Sequence, residues 1–286
     1  MKIAFTDFWW KFENHSNFFI DSLREVREGI EVVDKSKAEL LVYSCFGSDH
    51  KNVDSGSTKK LYFTGENTRP NFEECDTSLT FDFDDYGGKN ERLPLWMLQY
   101  DWYNSGGYIN PKFLMPTEWI KKSPLWEAPK NNFCVAIFNR DHIGNRVEFL
   151  QKIASYKKSH GFGEPFKNWF YGEDQKLNIL SQFRFTMCFE NTLQDGYHTE
   201  KLVHAKAAGC IPIYWANDRV ADDFNPNAFI NLHDYESVDE MIDVVKKIDG
   251  DPKLQKNILD SDLFAVEPSK QQILSKFESC LRTMNL

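Results

Sequence analysis

The sequence predicts an α/β protein built from two parallel-sheet units in tandem. Three observations carry this reading. Short, almost continuously apolar runs alternate with helical patterns, the alternation breaks down over residues 67–130, and it then restarts with the same rhythm. Residues 2–6 (KIAFT) read as a buried strand. Over 17–26, Phe18, Phe19, Ile20, Leu23 and Val26 fall on one helical face. Residues 30–33, 40–45 and 60–64 read as further strands. The region that follows contains Asp84-Asp85, Gly87-Gly88, Gly106-Gly107 and several prolines, with only 93–103 and 113–116 apolar enough to pack. Pro124, Pro129 and Lys130 place the boundary between units within 117–131. Beyond it come a strand at 133–138, a helix at 145–157, a strand at 185–189, a helix at 199–208, strands at 210–215 and 229–232, and helices at 238–248 and 269–283. There is no internal repeat or low-complexity segment. Two such units imply a cleft, with ligands at the carboxyl ends of the strands.

Composition narrows the function. The chain has 286 residues, 41% hydrophobic and 27% charged, with a net charge of −9. An acidic chain is a poor match for a nucleic-acid backbone, so no nucleic-acid partner is expected. Any phosphorylated ligand must be held by a few well-placed cations. Aromatic residues reach 15%; most are core filler, but those at the surface can stack on sugar rings. The six cysteines show no metal-ligand spacing, and Cys45, Cys134, Cys188 and Cys210 lie in apolar runs as buried thiols, suited to a reducing compartment. Residues 1–7 are too short an apolar stretch for a signal peptide, and no run approaches a membrane span. A cytoplasmic location is expected, with peripheral attachment to a membrane left open. A catalytic fragment cut from a membrane stem is the other reading, and Met1 favours the former.

The chemistry concentrates in residues 185–215, a strand–loop–helix–strand unit. Its strand runs into Glu190-Asn191, its loop turns at Asp195-Gly196, Thr199 is a good N-cap, and Glu200-Lys201 open the helix. A helix N-terminus attracts anions, and a lysine in its first turn opposes the helix dipole. Lys201 there is either a phosphate ligand or an exposed residue of an ordinary amphipathic helix. Glu200 could accept hydrogen bonds from vicinal hydroxyls. GxGxxG and Walker A sequences are both missing, so the usual dinucleotide and P-loop readings fail.

The segment FENTLQDGYHTEKLVHAKAAGCIPIYWA, residues 189–216, closely resembles the donor-binding motif of the α-1,3-fucosyltransferases, the tenth glycosyltransferase family. The resemblance extends to YFTGEN at 62–67, to VADDFNP at 220–226 and to Phe229-Ile230-Asn231, and so covers both halves. It implies the GT-B architecture, two Rossmann-like domains with parallel sheets facing across a cleft. It divides the chain into an acceptor-binding domain (1–120), a GDP-fucose-binding domain (121–268) and a C-terminal helix (269–286). It also implies inverting transfer of L-fucose from GDP-fucose to an oligosaccharide acceptor, at O3 of GlcNAc or Glc in family members. Two departures stand out. Ala216-Asn217 follows Trp215 where relatives usually have Gly, and no long tail or heptad array follows the last helix.

Family correspondence puts the general base at Glu66, which follows a strand, with Gly65 letting the backbone turn. To work near neutrality its carboxyl needs partial burial. The departing diphosphate falls to Lys201 and to Arg146, which opens a helix after strand 133–138 and offers a bidentate fork. Asn191 and Tyr197 match positions expected at the donor phosphate or sugar. Glu200 is expected at ribose or fucose hydroxyls, and Glu190 either near the fucosyl cation or in a structural role. Trp9 and Trp10, after the first strand, are either an acceptor platform or packing, and Asn67 is a further acceptor candidate. Asp82-Phe83-Asp84 has the form of a metal-binding Asp-x-Asp but reads as a solvated loop, and the cations make a metal or cofactor dispensable. Two alternatives stay open: a GT-B transferase for another GDP-sugar, and a non-catalytic carbohydrate-binding protein.

Overall fold

Six parallel strands form the sheet of the first unit: β1 (Lys2–Thr6), β2 (Glu31–Val32), β3 (Leu40–Tyr43), β4 (Lys59–Phe63), β5 (Thr77–Thr80) and β6 (Asn90–Arg92), in the order β2-β1-β3-β4-β5-β6. The computed structural model describes all residues except Ser55, Arg140, 142–145, Phe170, Tyr171 and the side chain of Glu173. The chain divides into two compact units, Met1–Leu114 with Pro268–Leu286, and Met115–Glu267.

In the first unit, β1, β3 and β4 are as apolar as the sequence reading requires, and Ile3, Leu40, Leu41, Leu61 and Phe63 are fully buried. Helix α1 (Phe18–Val26) is capped by Asn17, whose side chain accepts from the Ile20 amide at 2.9 Å. Strands β5 and β6 fall in the stretch read as irregular. β5 is Thr-Ser-Leu-Thr, buried throughout, and gives no apolar signal. Ser78 and Thr80 stay buried because Asn90 on β6 accepts from their hydroxyls at 2.9 and 3.0 Å. The solvated-loop reading of the Asp-x-Asp also needs correction. Asp82 is buried and pairs with Arg69 at 2.9 Å, while Asp84 and Asp85 are exposed.

The second unit has five parallel strands, β7 (Asn132–Ile137), β8 (Ser159–Phe162), β9 (Phe183–Met187), β10 (Ile211–Tyr214) and β11 (Ile230–Asn231), in the order β11-β10-β9-β7-β8. Helices α2 (Arg146–Ala154), α3 (Glu173–Leu180), α4 (Lys201–Ala207), α5 (Val238–Asp249) and α6 (Pro252–Asp260) complete it. The sequence reading missed β8, α3 and α6, although α6 begins with a strong signal, Pro252 at the first position behind an Asp251 cap. The last helix, α7 (Lys270–Met284), carries a full capping box at Ser269 and Gln272 and packs on α1, β5 and β6. It thus belongs to the first unit.

Two lysines, Lys206 buried and Lys130 half-buried, fix the far end of α4. Lys206 donates to the carbonyls of Ile258, Leu259 and Ser261 at 3.1, 2.6 and 2.7 Å, closing the C-terminus of α6, although burial pushes its ammonium down to about 8. Lys130 donates to Ser181 and Ala208 at 2.7 and 2.6 Å. With one end held in this way, α4 presents its first residues at a fixed place. All six cysteines are free thiols, Cys45 half-buried and the others buried. Among the described residues, no helix is long and apolar enough to cross a membrane.

Both sheets reverse direction once. In the first unit the chain steps from β1 outward to β2, then returns to the other side of β1 with β3. In the second it does the same with β7, β8 and β9. Each reversal opens a crevice at the strands' carboxyl ends, the usual ligand site of open α/β sheets.

Candidate active site

The reversal between β7 and β9 is where the predicted donor residues gather. Arg146 is the first residue of α2, after β7, and is buried. Its Nη2 donates to the carbonyl of Glu190 at 2.6 Å and to Oδ1 of Asn191 at 2.8 Å, just past the end of β9. Asn191 thereby orients the guanidinium while remaining exposed.

Of the two open readings of Glu190, its geometry matches the structural one. It is fully buried, and its carboxylate accepts four hydrogen bonds. Oε1 takes the Thr199 amide at 2.8 Å and the Tyr214 hydroxyl at 2.6 Å; Oε2 takes the Thr199 hydroxyl at 2.7 Å and Lys201 Nζ at 2.9 Å. A carboxylate filled in this way organises the site. Through its carbonyl it holds Arg146 and through its side chain Lys201, so one residue sets the spacing of both cations.

The cap reading for Thr199 is corrected by the same contacts. Helix α4 begins at Lys201 with Glu200 at the cap, and the Thr199 hydroxyl serves Glu190 instead. With seven residues, α4 is a short source of dipole, and the positive charge here comes mainly from side chains. Lys201 donates two of its three protons, to Glu190 and to Thr199 Oγ1 at 2.7 Å. Burial alone would lower its pKa, but Glu190 and Glu200 more than offset this and raise it above the usual lysine value.

Glu200 is half-buried and pairs with Lys176 of α3 at 3.2 Å. Burial opposes its charge, yet Lys176, Lys201 and His204 hold its carboxyl well below the usual range. Lys176 was not legible beforehand, because α3 itself was missed. Tyr197 is buried beside these groups, and the Asp195-Gly196 turn relies on Gly196 at φ +75°. The departure at Asn217 has a use here: its side-chain amide bonds Asp195 and ties the loop after β10 to that turn. His198, also unread in the sequence, is buried and bonds Asp223 at 2.6 Å.

The remaining candidates lie in the first unit. Glu66 follows β4 and is exposed, rather than partly buried as its expected role asked. Its backbone is fixed nonetheless. The amide donates to Thr64 Oγ1 and the carbonyl accepts from it, both at 3.0 Å, and Thr68 links that hydroxyl to Tyr62 at 2.8 and 2.7 Å. Gly65 avoids the left-handed region. The demand on it is space, since a Cβ would lie 2.8 Å from Leu95 Cδ1. Asn67 is exposed, with Oδ1 accepting from Arg69 at 3.1 Å. Trp9 is half-buried with its indole N–H bonded to the Asn110 carbonyl at 3.1 Å, whereas Trp10 is 77% exposed.

Two parallel sheets with matching reversals fit the two Rossmann-like domains that the GT-B resemblance implies. A profile described as the Alpha-(1,3)-fucosyltransferase FucT N-terminal domain matches residues 3–100, and one described as the Glycosyltransferase family 10 (fucosyltransferase) C-terminal part matches 126–261. The chain belongs to glycosyltransferase family 10, the α-1,3-fucosyltransferases. It is 29% identical over 275 residues to the Helicobacter pylori alpha-(1,3)-fucosyltransferase FucT, covering 86% of this chain and 56% of that protein. The chain thus spans about half the length of that relative. A crystal structure of an alpha1,3-fucosyltransferase with GDP-fucose superposes with a TM-score of 0.72 at 25% identity, over 98% of this chain and 90% of that one. The human 4-galactosyl-N-acetylglucosaminide 3-alpha-L-fucosyltransferase 9 is 28% identical over 137 residues, covering 46% of this chain and 37% of that protein.

Proposed function

We propose that this chain transfers L-fucose from GDP-fucose to a hydroxyl of an oligosaccharide acceptor, O3 of GlcNAc or Glc, with inversion at the fucose anomeric carbon. The observation that carries the reading is the Arg146–Lys201 pair, held through Glu190 at the reversal point of the second sheet. These two cations take the charge that builds on the β-phosphate oxygen as its bond to fucose breaks, with a small addition from the start of α4. Asn191 and Tyr197 line the donor beside them. Glu200, held anionic by Lys176, accepts hydrogen bonds from ribose or fucose hydroxyls. Glu66 takes the acceptor hydroxyl proton as the new glycosidic bond forms and GDP leaves. No metal is required in this scheme, because side-chain cations supply the charge, and turnover is expected to persist in excess chelator.

The relative that acts on a 4-galactosyl-N-acetylglucosaminide makes β-1,4-linked galactosyl-GlcNAc the first acceptor to try. Incubation with GDP-fucose and, separately, GDP-mannose tests the donor. Turnover with GDP-mannose alone would sink the fucose assignment and favour the other-donor reading. Sugar binding without any GDP release would favour a non-catalytic lectin. Arg146→Ala and Lys201→Ala are each expected to weaken GDP binding roughly 10- to 100-fold by calorimetry, the range for a lost charge-assisted contact. Unchanged affinity in both variants would refute the diphosphate assignment.

A further inference from the structure

The second unit holds a buried imidazole–carboxylate pair that the transfer scheme leaves unused. His198 stands between Tyr197 and Thr199, and its side chain is fully enclosed. Its Nδ1 lies 2.6 Å from Oδ2 of Asp223, so the proton belongs on Nδ1 and is donated to the carboxylate. Nε2 is buried and has no partner among the described residues. The ring lies against the fully buried Phe224, with centroids 5.9 Å apart at 58°. In the main chain, the His198 amide donates to the Gly196 carbonyl at 2.8 Å and the Tyr197 amide to the Gln194 carbonyl at 3.1 Å.

Asp223 is seated on a fixed base. It follows the short 3-10 helix Asp218–Asp222 beyond β10, and its amide donates to the Val220 carbonyl at 3.1 Å. Its carbonyl accepts from the Ala265 amide at 2.9 Å, the Asn225 amide donates to Leu263 at 2.8 Å, and the Phe224 ring packs on Phe264 at 5.6 Å. Residues 188–200, by contrast, carry no helix or strand, so side chains must fix their path. Asn217 ties Asp195 at one end of this loop. At the other end Thr199 ties to Glu190, which in turn holds Lys201. His198 is the anchor between them and sits next to Tyr197. A short path thus joins Asp223 to the donor cation, through His198, the peptide to Thr199, and Glu190.

We infer that His198 and Asp223 form a clamp that positions the loop carrying Tyr197, Glu200 and Lys201, so that these residues meet GDP-fucose already in place. The inference rests on the donor reading of those residues. An apolar side chain at position 198 would also be buried, but burial has no direction. A hydrogen bond to a carboxylate fixes both the distance and the plane of the ring. Parting the pair would leave Asp223 buried and short of a donor, which gives the paired state a strong preference. A loop paired only part of the time binds its ligand more weakly, in proportion to the paired fraction. His198 is thus a positioning residue. It acts through Tyr197, Thr199 and Lys201, and its signature lies in donor affinity, not in the rate at saturation.

The test uses two replacements that separate the bond from the bulk. Asn places an amide N–H where Nδ1 stands and gives up only the Nε2 side, which bonds nothing among the described residues. Phe keeps a ring against Phe224 and removes the bond. His198→Phe is expected to raise the donor KM, and the GDP Kd by calorimetry, about five- to twentyfold, with kcat at saturating donor and the acceptor KM within about twofold of wild type. His198→Asn should bring both constants back to within about twofold. A protein that merely unfolds in part loses kcat and binding stoichiometry at unchanged KM and Kd. That outcome overturns the clamp, as does equal weakening by Asn and Phe. Asp223→Ala should weaken GDP binding as much as His198→Phe does, and the double variant no more than either; additive effects overturn the pair. Hydrogen exchange on the free protein reads the loop without ligand. The amides of residues 195–200 should exchange several-fold faster in His198→Phe than in wild type or His198→Asn, and unchanged exchange overturns the clamp. A wild-type protein that binds no GDP defeats the donor reading instead, and the exchange comparison still decides the clamp.

Discussion

Glu66→Gln is expected to reduce fucosyl transfer by roughly two to four orders of magnitude, the range for removing a general base, while GDP binding persists. The substitution keeps shape and hydrogen-bonding reach but replaces the carboxylate with an amide too weakly basic to take the acceptor proton. The surroundings make it a clean experiment. Main-chain contacts to the Thr64 hydroxyl fix the backbone of Glu66, and its side chain is exposed, so the variant should fold with an unchanged melting temperature. Turnover is checked by GDP release with acceptor present, and affinity by calorimetry. Transfer within tenfold of wild type would remove Glu66 from the role. Near-complete loss of GDP affinity would show that it acts on the donor instead.

What the sequence could disclose depended on how each element is stabilised. Strands β1, β3, β4, β7 and β10 are held by apolar burial, and their runs announce them. Strand β5 is held by hydroxyls satisfied from β6, so its Thr-Ser-Leu-Thr looks like a loop until Asn90 is placed beside it. Asp82 is hidden in the same way, since only the fold brings Arg69 to it. The cations followed the same division. Spacing left Lys201 open between a phosphate ligand and an exposed helix residue, and it was the family resemblance that singled out Lys201 and Arg146 as the donor cations. Lys176 reaches the site from a helix with weak periodicity, and no spacing rule joins it to Glu200. The tryptophan pair after β1 was half legible. Trp9 and Trp10 are adjacent in sequence, but the structure assigns one to packing and the other to solvent.

Glu190 is where the missing information matters most, and its replacement should have the second large effect. Glu190→Ala is expected to destabilise the protein by about 3–5 kcal/mol, because it takes from the half-buried Lys201 ammonium its main counter-charge and leaves two buried hydroxyls short of an acceptor. In a chain of this size that is roughly a 10 °C fall in melting temperature by calorimetry. Glu190→Gln separates charge from shape. The amide can still accept from Thr199 or Tyr214, but it cannot balance Lys201. Among the influences on Lys201, burial lowers its pKa and Glu190 is the largest that raises it. Removing that charge lets the pKa fall. The sign follows: in wild type the ammonium is kept, and GDP affinity with it, up to and beyond the ordinary lysine value of 10.5. In Glu190→Gln the proton is lost at lower pH, so GDP affinity should decline on the alkaline side where wild type still binds. Calorimetric titrations of GDP from pH 7 to 10 would show this as a descending limb in the variant alone. Parallel profiles would mean that Glu190 contributes packing and not charge. Lys201 would then have to be kept protonated by Glu200, and the double variant Glu190→Gln, Glu200→Gln should bring back the descending limb.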